Sequence, residues 1–239
     1  MKTVAIIPAR WESTRFPGKP LAEIAGQPMI QHVWEKASAA RGVHEVIIAT
    51  DSDRIAAAAA SFGAQAIKTR KDHESGSDRL AEVAQDLRAD VIINVQGDEP
   101  LVRSSDLENL AALMVGDDGI EVASLCHPIT AEEAANPNRV KVVCDAAGDA
   151  LYFSRAAIPH PRAAASARYR QHIGVYAYRR ETLLRFPDLP VPTEERAEAL
   201  EQLRFLSAGI PIRLIETEPS GPGVDVPEDI ARVEALMKG

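Results

Sequence analysis

Short β-branched runs alternate with longer Ala-rich amphipathic segments through the first half of the chain, a pattern that predicts βαβ units around a mixed, mostly parallel sheet with helices on both faces. Thr3–Pro8, Glu45–Thr50, Ala64–Lys68, Val91–Val95 and Glu121–Cys126 read as strands. Met29–Ala40, Ser52–Ser61, Ser77–Leu87 and Ser104–Val115 read as the helices between them. Three of these open on a Ser whose hydroxyl can accept from the exposed N–H groups of a first turn. Beyond Asn138 the rhythm changes. Arg139–Cys144 and Ala150–Phe153 flank Ala146-Ala147-Gly148-Asp149 as a hairpin, and a loop with Pro159 and Pro161 follows. His172–Tyr178 alternates as a strand does, Glu194–Leu206 reads as one helix, and Ile212–Glu216 reads as a strand. Pro227–Met237 reads as a last helix with Pro in its first turn. No internal repeat or long linker divides the chain, so an α/β domain spanning residues 1–239 is expected, with a small β element near residues 138–178.

Composition narrows the function classes. Hydrophobic residues make up 46% of the 239, ample for a core, while 27 Lys and Arg against 35 Asp and Glu give a net charge of −8. That balance argues against broad nucleic-acid or membrane-surface binding, so an anionic ligand must be met by a local basic cluster. The N-terminal apolar run of about five residues before Pro8 is too short for a secretory or membrane segment. Cys126 and Cys144 lie in apolar stretches without CxxC spacing, which reads as two reduced core thiols and a cytoplasmic setting.

The first such basic cluster follows the first strand. Pro8-Ala9-Arg10-Trp11-Glu12-Ser13-Thr14-Arg15-Phe16-Pro17-Gly18-Lys19-Pro20-Leu21 places Arg10, Arg15 and Lys19 where open α/β sheets bind ligands. With Ser13, Gly18 and backbone N–H groups these cations can form a cradle for a triphosphate, although the loop is neither a Walker A sequence nor a Gly-rich dinucleotide turn. Two acidic clusters also stand at element ends: Gln96-Gly97-Asp98-Glu99-Pro100 after an apolar strand, and Gly223-Val224-Asp225-Val226-Pro227-Glu228-Asp229 before the last helix. Each Asp also suits a turn or cap. Together Asp98 and Asp225 match what Mg²⁺ takes from a protein in triphosphate chemistry, one or two carboxylates.

The form Pro-Ala-Arg-x-x-Ser-x-Arg-x-Pro-Gly-Lys-Pro-Leu resembles the signature loop of nucleotidyltransferases with the glycosyltransferase-A-like fold, and that of the CMP-Kdo synthetases in particular. The Gln-Gly-Asp-Glu-Pro and Gly-Val-Asp-x-Pro-Glu-Asp segments resemble the same family's metal motifs, and Asp72-His73-Glu74-Ser75-Gly76-Ser77-Asp78-Arg79 resembles the segment around its cytosine. The resemblance runs through the chain in motif order. It implies a cytidylyltransferase that joins CTP to the sugar acid 3-deoxy-D-manno-octulosonate (Kdo), giving CMP-Kdo and pyrophosphate for lipopolysaccharide synthesis. It implies Mg²⁺ on Asp98 and Asp225, with Arg10 and Lys19 as further catalytic groups. Ala9, Arg10, Ser13, Arg15, Lys19, Ser75, Gly76 and Arg79 would meet the nucleotide, and Gln96, Arg155, His172, Tyr176, Glu201 and Gln202 the sugar. It also implies a homodimer built through the element near residues 138–178. Phe16 where Leu is usual, Ser77 for Thr and Val226 for Thr are the departures. Another sugar acid, such as a sialic acid or an 8-amino Kdo analogue, a non-catalytic nucleotide-binding module, and a purely structural α/β protein stand as the alternatives.

Overall fold

A computed structural model of the chain describes residues 1–12, 16–73, 75–163 and 167–238. Its strands are β1 (Thr3–Ala9), β2 (Glu23–Ile24), β3 (Gln27–Pro28), β4 (Glu45–Thr50), β5 (Gln65–Lys68), β6 (Val91–Asn94), β7 (Val122–Ile129), β8 (Lys141–Cys144), β9 (Ala150–Ser154), β10 (Tyr169–Arg179) and β11 (Ile212–Glu216). The helices are α1 (Met29–Ser38), α2 (Asp53–Ser61), α3 (Gly76–Gln85), α4 (Ser104–Gly116), α5 (Ala131–Ala134), α6 (Arg180–Arg185), α7 (Thr193–Glu198), α8 (Leu203–Ser207) and α9 (Asp229–Met237).

Among the described residues, nine strands form one sheet with the order β11-β7-β10-β6-β1-β4-β5, and β8 joins β10 while carrying β9. β6, β1, β4 and β5 run parallel, as do β7 and β11, and β10 is antiparallel to β6 and β7. The period-two alternation of β1 feeds two cores. Val4 and Ile6 pack on one face with Leu80 of α3, Leu183 of α6 and Phe205 of α8. Ala5 and Ile7 pack on the other with Val33 of α1, Ile55 of α2 and Leu107 of α4. A third cluster, Ile24, Met29, Val224 and Val233 with Phe16 packed on it, pins the first loop to the last helix. No helix among the described residues is long and apolar enough to cross a membrane.

Several expectations change. Glu194–Leu206 is two helices, because Ala199 turns left-handed (φ 51°) and ends α7. The break is held from outside: Glu198 accepts from Ser154 Oγ at 2.6 Å and from the Arg155 N–H at 2.8 Å, and the buried pair Glu195–Arg204 ties α7 to α8. Of the expected Ser caps, Ser52 stands at the N-cap of α2 without a side-chain bond, and Ser104 lies inside α4, bonded to the Lys36 carbonyl at 2.8 Å. α3 begins at Gly76, so its cap is Ser75 rather than Ser77. β7 extends to Ile129, β10 starts at Tyr169 with an irregular register between Ile173 and Tyr176, and α9 starts at Asp229. Cys126 is buried, Cys144 partly so, and both are free thiols in mutual contact.

Candidate active-site cleft

Because β1, β4 and β6 are parallel, their C-terminal ends open on one edge of the sheet, and the loops that follow them must share that edge. The loops touch closely. A Cβ on Gly97 would lie 2.9 Å from the Pro8 carbonyl oxygen, and one on Gly223 would lie 3.1 Å from the Asp98 carbonyl oxygen. A side chain at position 97 would push against the Pro8 backbone, and one at position 223 would crowd the Asp98 backbone. The Val224 N–H donates to the Asp98 carbonyl at 2.9 Å, docking the third motif on the second.

Lys19 joins all three. Gly18 takes a left-handed conformation (φ 72°) and donates to the Trp11 carbonyl, turning Lys19 inward at the start of a short helical turn. The Lys19 ammonium lies 2.6 Å from Asp98 Oδ2, 2.9 Å from the Val224 carbonyl oxygen and 3.9 Å from Asp225 Oδ1. One cation thus sits where the two carboxylates meet. Glu99 beside them has its carboxyl pushed up to about 8 by burial and by the negative charges of Asp98 and Asp225, with Lys19 opposing. Among the described residues no group of three His, Cys, Asp or Glu side chains converges as a metal cage, and the acidic pair alone is the candidate cation site.

These groups stand at one end of a cleft of about 590 Å³. Ala9, Arg10 and Lys19 line it from the first loop, and Gln96, Asp98 and Asp225 from the acidic motifs. Ser75, Gly76 and Arg79 form one wall, His172, Tyr176, Glu201 and Gln202 another. Ser13 and Arg15 lie outside the described residues. Arg155 does not line the cleft. Its guanidinium is engaged by the carbonyls of Glu198 (2.7 Å), Pro137 (3.3 Å) and Ala199 (3.4 Å), so it clamps backbone that shapes the wall.

On the first wall, Arg79 is only 4% exposed and is held by Thr69 and by Asp51 Oδ2 at 3.3 Å. It is therefore a fixed, paired cation. His73, which also lines the cleft, is fastened to Glu82. On the second wall, burial pushes His172 down to about 3, so its ring is neutral at ordinary pH. Ser124 Oγ spends its proton on backbone carbonyls at 2.8 and 3.1 Å, so His172 Nε2, 3.0 Å away, donates to it and Nδ1 is left as an acceptor. Phe153 packs edge-on to His172 at 4.9 Å, and Tyr176 lies against its ring at 5.3 Å. Burial raises the Glu201 carboxyl.

Residue patterns had not assigned Asn94, Ser77, Tyr178, Asn138 or Gln171, which also line the cleft. Asn94 carried a signal: it is the polar end of the apolar run Val91–Asn94, is 2% exposed, and its Oδ1 has no protein partner. Gln171 had one too, as the polar neighbour of His172, and its Oε1 accepts from Arg139 at 2.8 Å.

Comparison with known proteins adds a family to this geometry. The cytidylyltransferase family matches residues 4–215. A 3-deoxy-manno-octulosonate cytidylyltransferase from Escherichia coli is 54% identical over 236 residues, covering 99% of this chain and 96% of that one. A solved CMP:2-keto-3-deoxy-manno-octonic acid synthetase in complex with CTP superposes with a TM-score of 0.98 at 53% identity, covering 100% of this chain and 99% of that one. A cytidylyltransferase structure from Leptospira borgpetersenii, at 16% identity and a TM-score of 0.68 over 100% of this chain and 87% of its own, shares the fold.

Proposed function

The chain belongs to the 3-deoxy-manno-octulosonate cytidylyltransferases of the cytidylyltransferase family, and we propose that its cleft joins CTP to Kdo, releasing pyrophosphate and CMP-Kdo for lipopolysaccharide synthesis. The observation that carries the reading is the convergence of three distant loops on the Lys19 ammonium in a cleft of about 590 Å³. In this reaction the anomeric hydroxyl of the sugar acid attacks the α-phosphorus of CTP. The new O–P bond forms as the bond to pyrophosphate breaks in line. No covalent enzyme intermediate is needed, so the protein's work is positioning and charge stabilisation.

Arg10 and Lys19, with Arg15, offset the charge that develops on pyrophosphate. The long stem of Lys19 lets its ammonium pass from the two carboxylates to a phosphate oxygen. The site fits Mg²⁺, because Asp98 and Asp225 already share one cation and supply the two carboxylates such an ion takes. When bound there, Mg²⁺ supplies charge withdrawal from the phosphate oxygens and acidifies a hydroxyl close to it. Ser75, Gly76 and the fixed Arg79 hold the base and ribose side. On the sugar side, the neutral His172, Tyr176, Gln96, Gln202 and Glu201 offer hydroxyl partners within a dry wall.

Use of CTP, together with two thiols that touch yet stay unbonded, supports a cytoplasmic enzyme. Leu151, 62% exposed on the β8–β9 hairpin, supports that element as the contact of a homodimer. The test is CTP-dependent pyrophosphate release across a panel of sugar acids, with Kdo expected to give the highest kcat/KM. A sialic acid or 8-amino Kdo outperforming it would replace the sugar assignment, and no release with any sugar acid would reject the reaction.

A further inference from the structure

The sequence marks Ser77 as a departure from Thr in the base-side segment and as a candidate helix cap. Its hydroxyl does not cap the helix. The cap of α3 is complete without it: Ser75 Oγ accepts from the Asp78 N–H at 3.1 Å, and Asp78 Oδ2 accepts from the Ser75 N–H at 3.2 Å. Ser77 Oγ instead donates to Glu201 Oε2 at 2.9 Å, across 124 positions of chain. The Glu201 carboxylate thus meets the first turn of the ten-residue α3 through Ser77, while the Ser75 hydroxyl gives its proton to Asp78 Oδ2 at 2.8 Å.

Behind this contact lie further buried polar groups. Ser77 has one proton and gives it to Glu201, and the buried Tyr178 hydroxyl stands near both Ser77 and Asn94. Ser77, Tyr178 and Asn94 are 5%, 1% and 2% exposed, and all three line the cleft. Glu201 needs the support, because it stands in the turn between α7 and α8, each under two helical turns long, just after the left-handed Ala199. Backbone bonds set the course of that turn, from the Leu200 N–H to the Glu195 carbonyl at 3.2 Å and from the Arg204 N–H to the Glu201 carbonyl at 3.0 Å, but they do not orient the Glu201 side chain.

We propose that Ser77 is a positioning residue through which the nucleotide-side helix holds Glu201 in place for the sugar acid. This rests on the assignment of the two cleft walls above. The base-side and sugar-side segments are then one mechanical unit, joined below the substrates. Only a hydroxyl is required at position 77, which Thr also supplies.

The test compares Ser77→Ala, Ser77→Thr and Glu201→Gln by steady-state kinetics with Kdo varied at saturating CTP, and by calorimetric titration of CTP alone. Ser77→Ala is expected to raise the KM for Kdo about tenfold, the scale of one hydrogen bond to a charged group, with CTP affinity within about twofold of the parent. Ser77→Thr is expected to match the parent, and Glu201→Gln to raise the KM for Kdo at least as much as Ser77→Ala. A normal KM in Ser77→Ala beside a raised one in Glu201→Gln would overturn the inference and leave the sugar wall standing. So would an equal loss of CTP affinity in Ser77→Ala, or a Ser77→Thr variant no better than Ser77→Ala. Should neither Glu201→Gln nor Ser77→Ala move the KM for Kdo, the wall assignment falls and the inference with it.

Discussion

Lys19→Met is a perturbation whose two effects run in opposite directions. The ammonium stands 2.6 Å from Asp98 Oδ2 and 3.9 Å from Asp225 Oδ1. At the effective dielectric of a protein surface those separations correspond to gross attractions of about 6 and about 4 kcal/mol. Exposure of the carboxylates, 36% for the Asp98 side chain and 60% for Asp225, and the cost of desolvating Lys19 reduce the net to about 1–2 kcal/mol. A divalent ion approaching the same pair must displace this cation and work against its charge. In nucleotide-free protein Lys19→Met is therefore expected to bind Mn²⁺ about tenfold more tightly, since 1.4 kcal/mol is a factor of ten. Turnover is expected to fall about a hundredfold or more, because a charged donor to the leaving pyrophosphate is gone. The assay is Mn²⁺ titration followed by water proton relaxation at neutral pH, with thermal unfolding and circular dichroism confirming the fold. The variant should melt lower than the parent without divalent ion and regain the difference with Mg²⁺. Unchanged or weaker Mn²⁺ binding in a folded Lys19→Met protein would refute the placement of the cation site between Asp98 and Asp225.

Asp98→Asn and Asp225→Asn each remove one charged ligand from an exposed rim, so turnover with Mg²⁺ should drop about a hundredfold or more while the unfolding transition stays cooperative; near-normal pyrophosphate release in both rejects the metal assignment. Glu99, raised from 4.5 to about 8, keeps its proton more firmly in the fold than in the unfolded chain. Its contribution is full below pH 4.5 and is lost as pH rises toward 8. Glu99→Gln is thus expected to stabilise the metal-free protein at pH 8 by about 2–4 kcal/mol and to change little at pH 4.5, read by urea unfolding at both. Equal effects at the two pH values would contradict it. Arg79→Ala should weaken CTP binding and also destabilise the fold by about 2–4 kcal/mol, because it leaves the Asp51 carboxylate, 11% exposed, without its partner. His172→Ala should raise the KM for Kdo and spare CTP affinity in the same titrations, and a loss of CTP affinity instead would move His172 to the other wall.

β1 and β6 of the parallel block were legible because they are buried on both faces, which demands unbroken apolar runs such as Val4–Ile7 and Val91–Ile93. Glu45–Thr50 and Ile212–Glu216 match residue for residue. The single helix expected over Glu194–Leu206 failed for a tertiary reason. Glu, Arg, Ala and Leu there all favour helix, and Ala199 carries no local reason to turn left-handed. What turns it is the demand on either side, where Glu198 serves Ser154 and Arg155 while Glu195 reaches Arg204. None of those partners is a neighbour in sequence.

The cleft was legible wherever a ligand-type residue follows a strand end, because parallel topology then sends it to the binding edge whatever its distance along the chain. Arg10, Gln96 and Asp98 were found in this way, and Asp225 through its likeness to a metal motif. Arg155 stands off the cleft lining because its guanidinium is taken up by three backbone carbonyls, an arrangement that only the fold of α7 and α8 reveals. Ser77 was hidden for the opposite reason. It stands in a segment whose pattern is already explained by a helix start, so nothing is left over to demand a second role. That role becomes visible only when α3, β6, β10 and the turn after Ala199 are brought together. The Ser77 hydroxyl, excused from capping by Ser75 and Asp78, then has Glu201 as its acceptor.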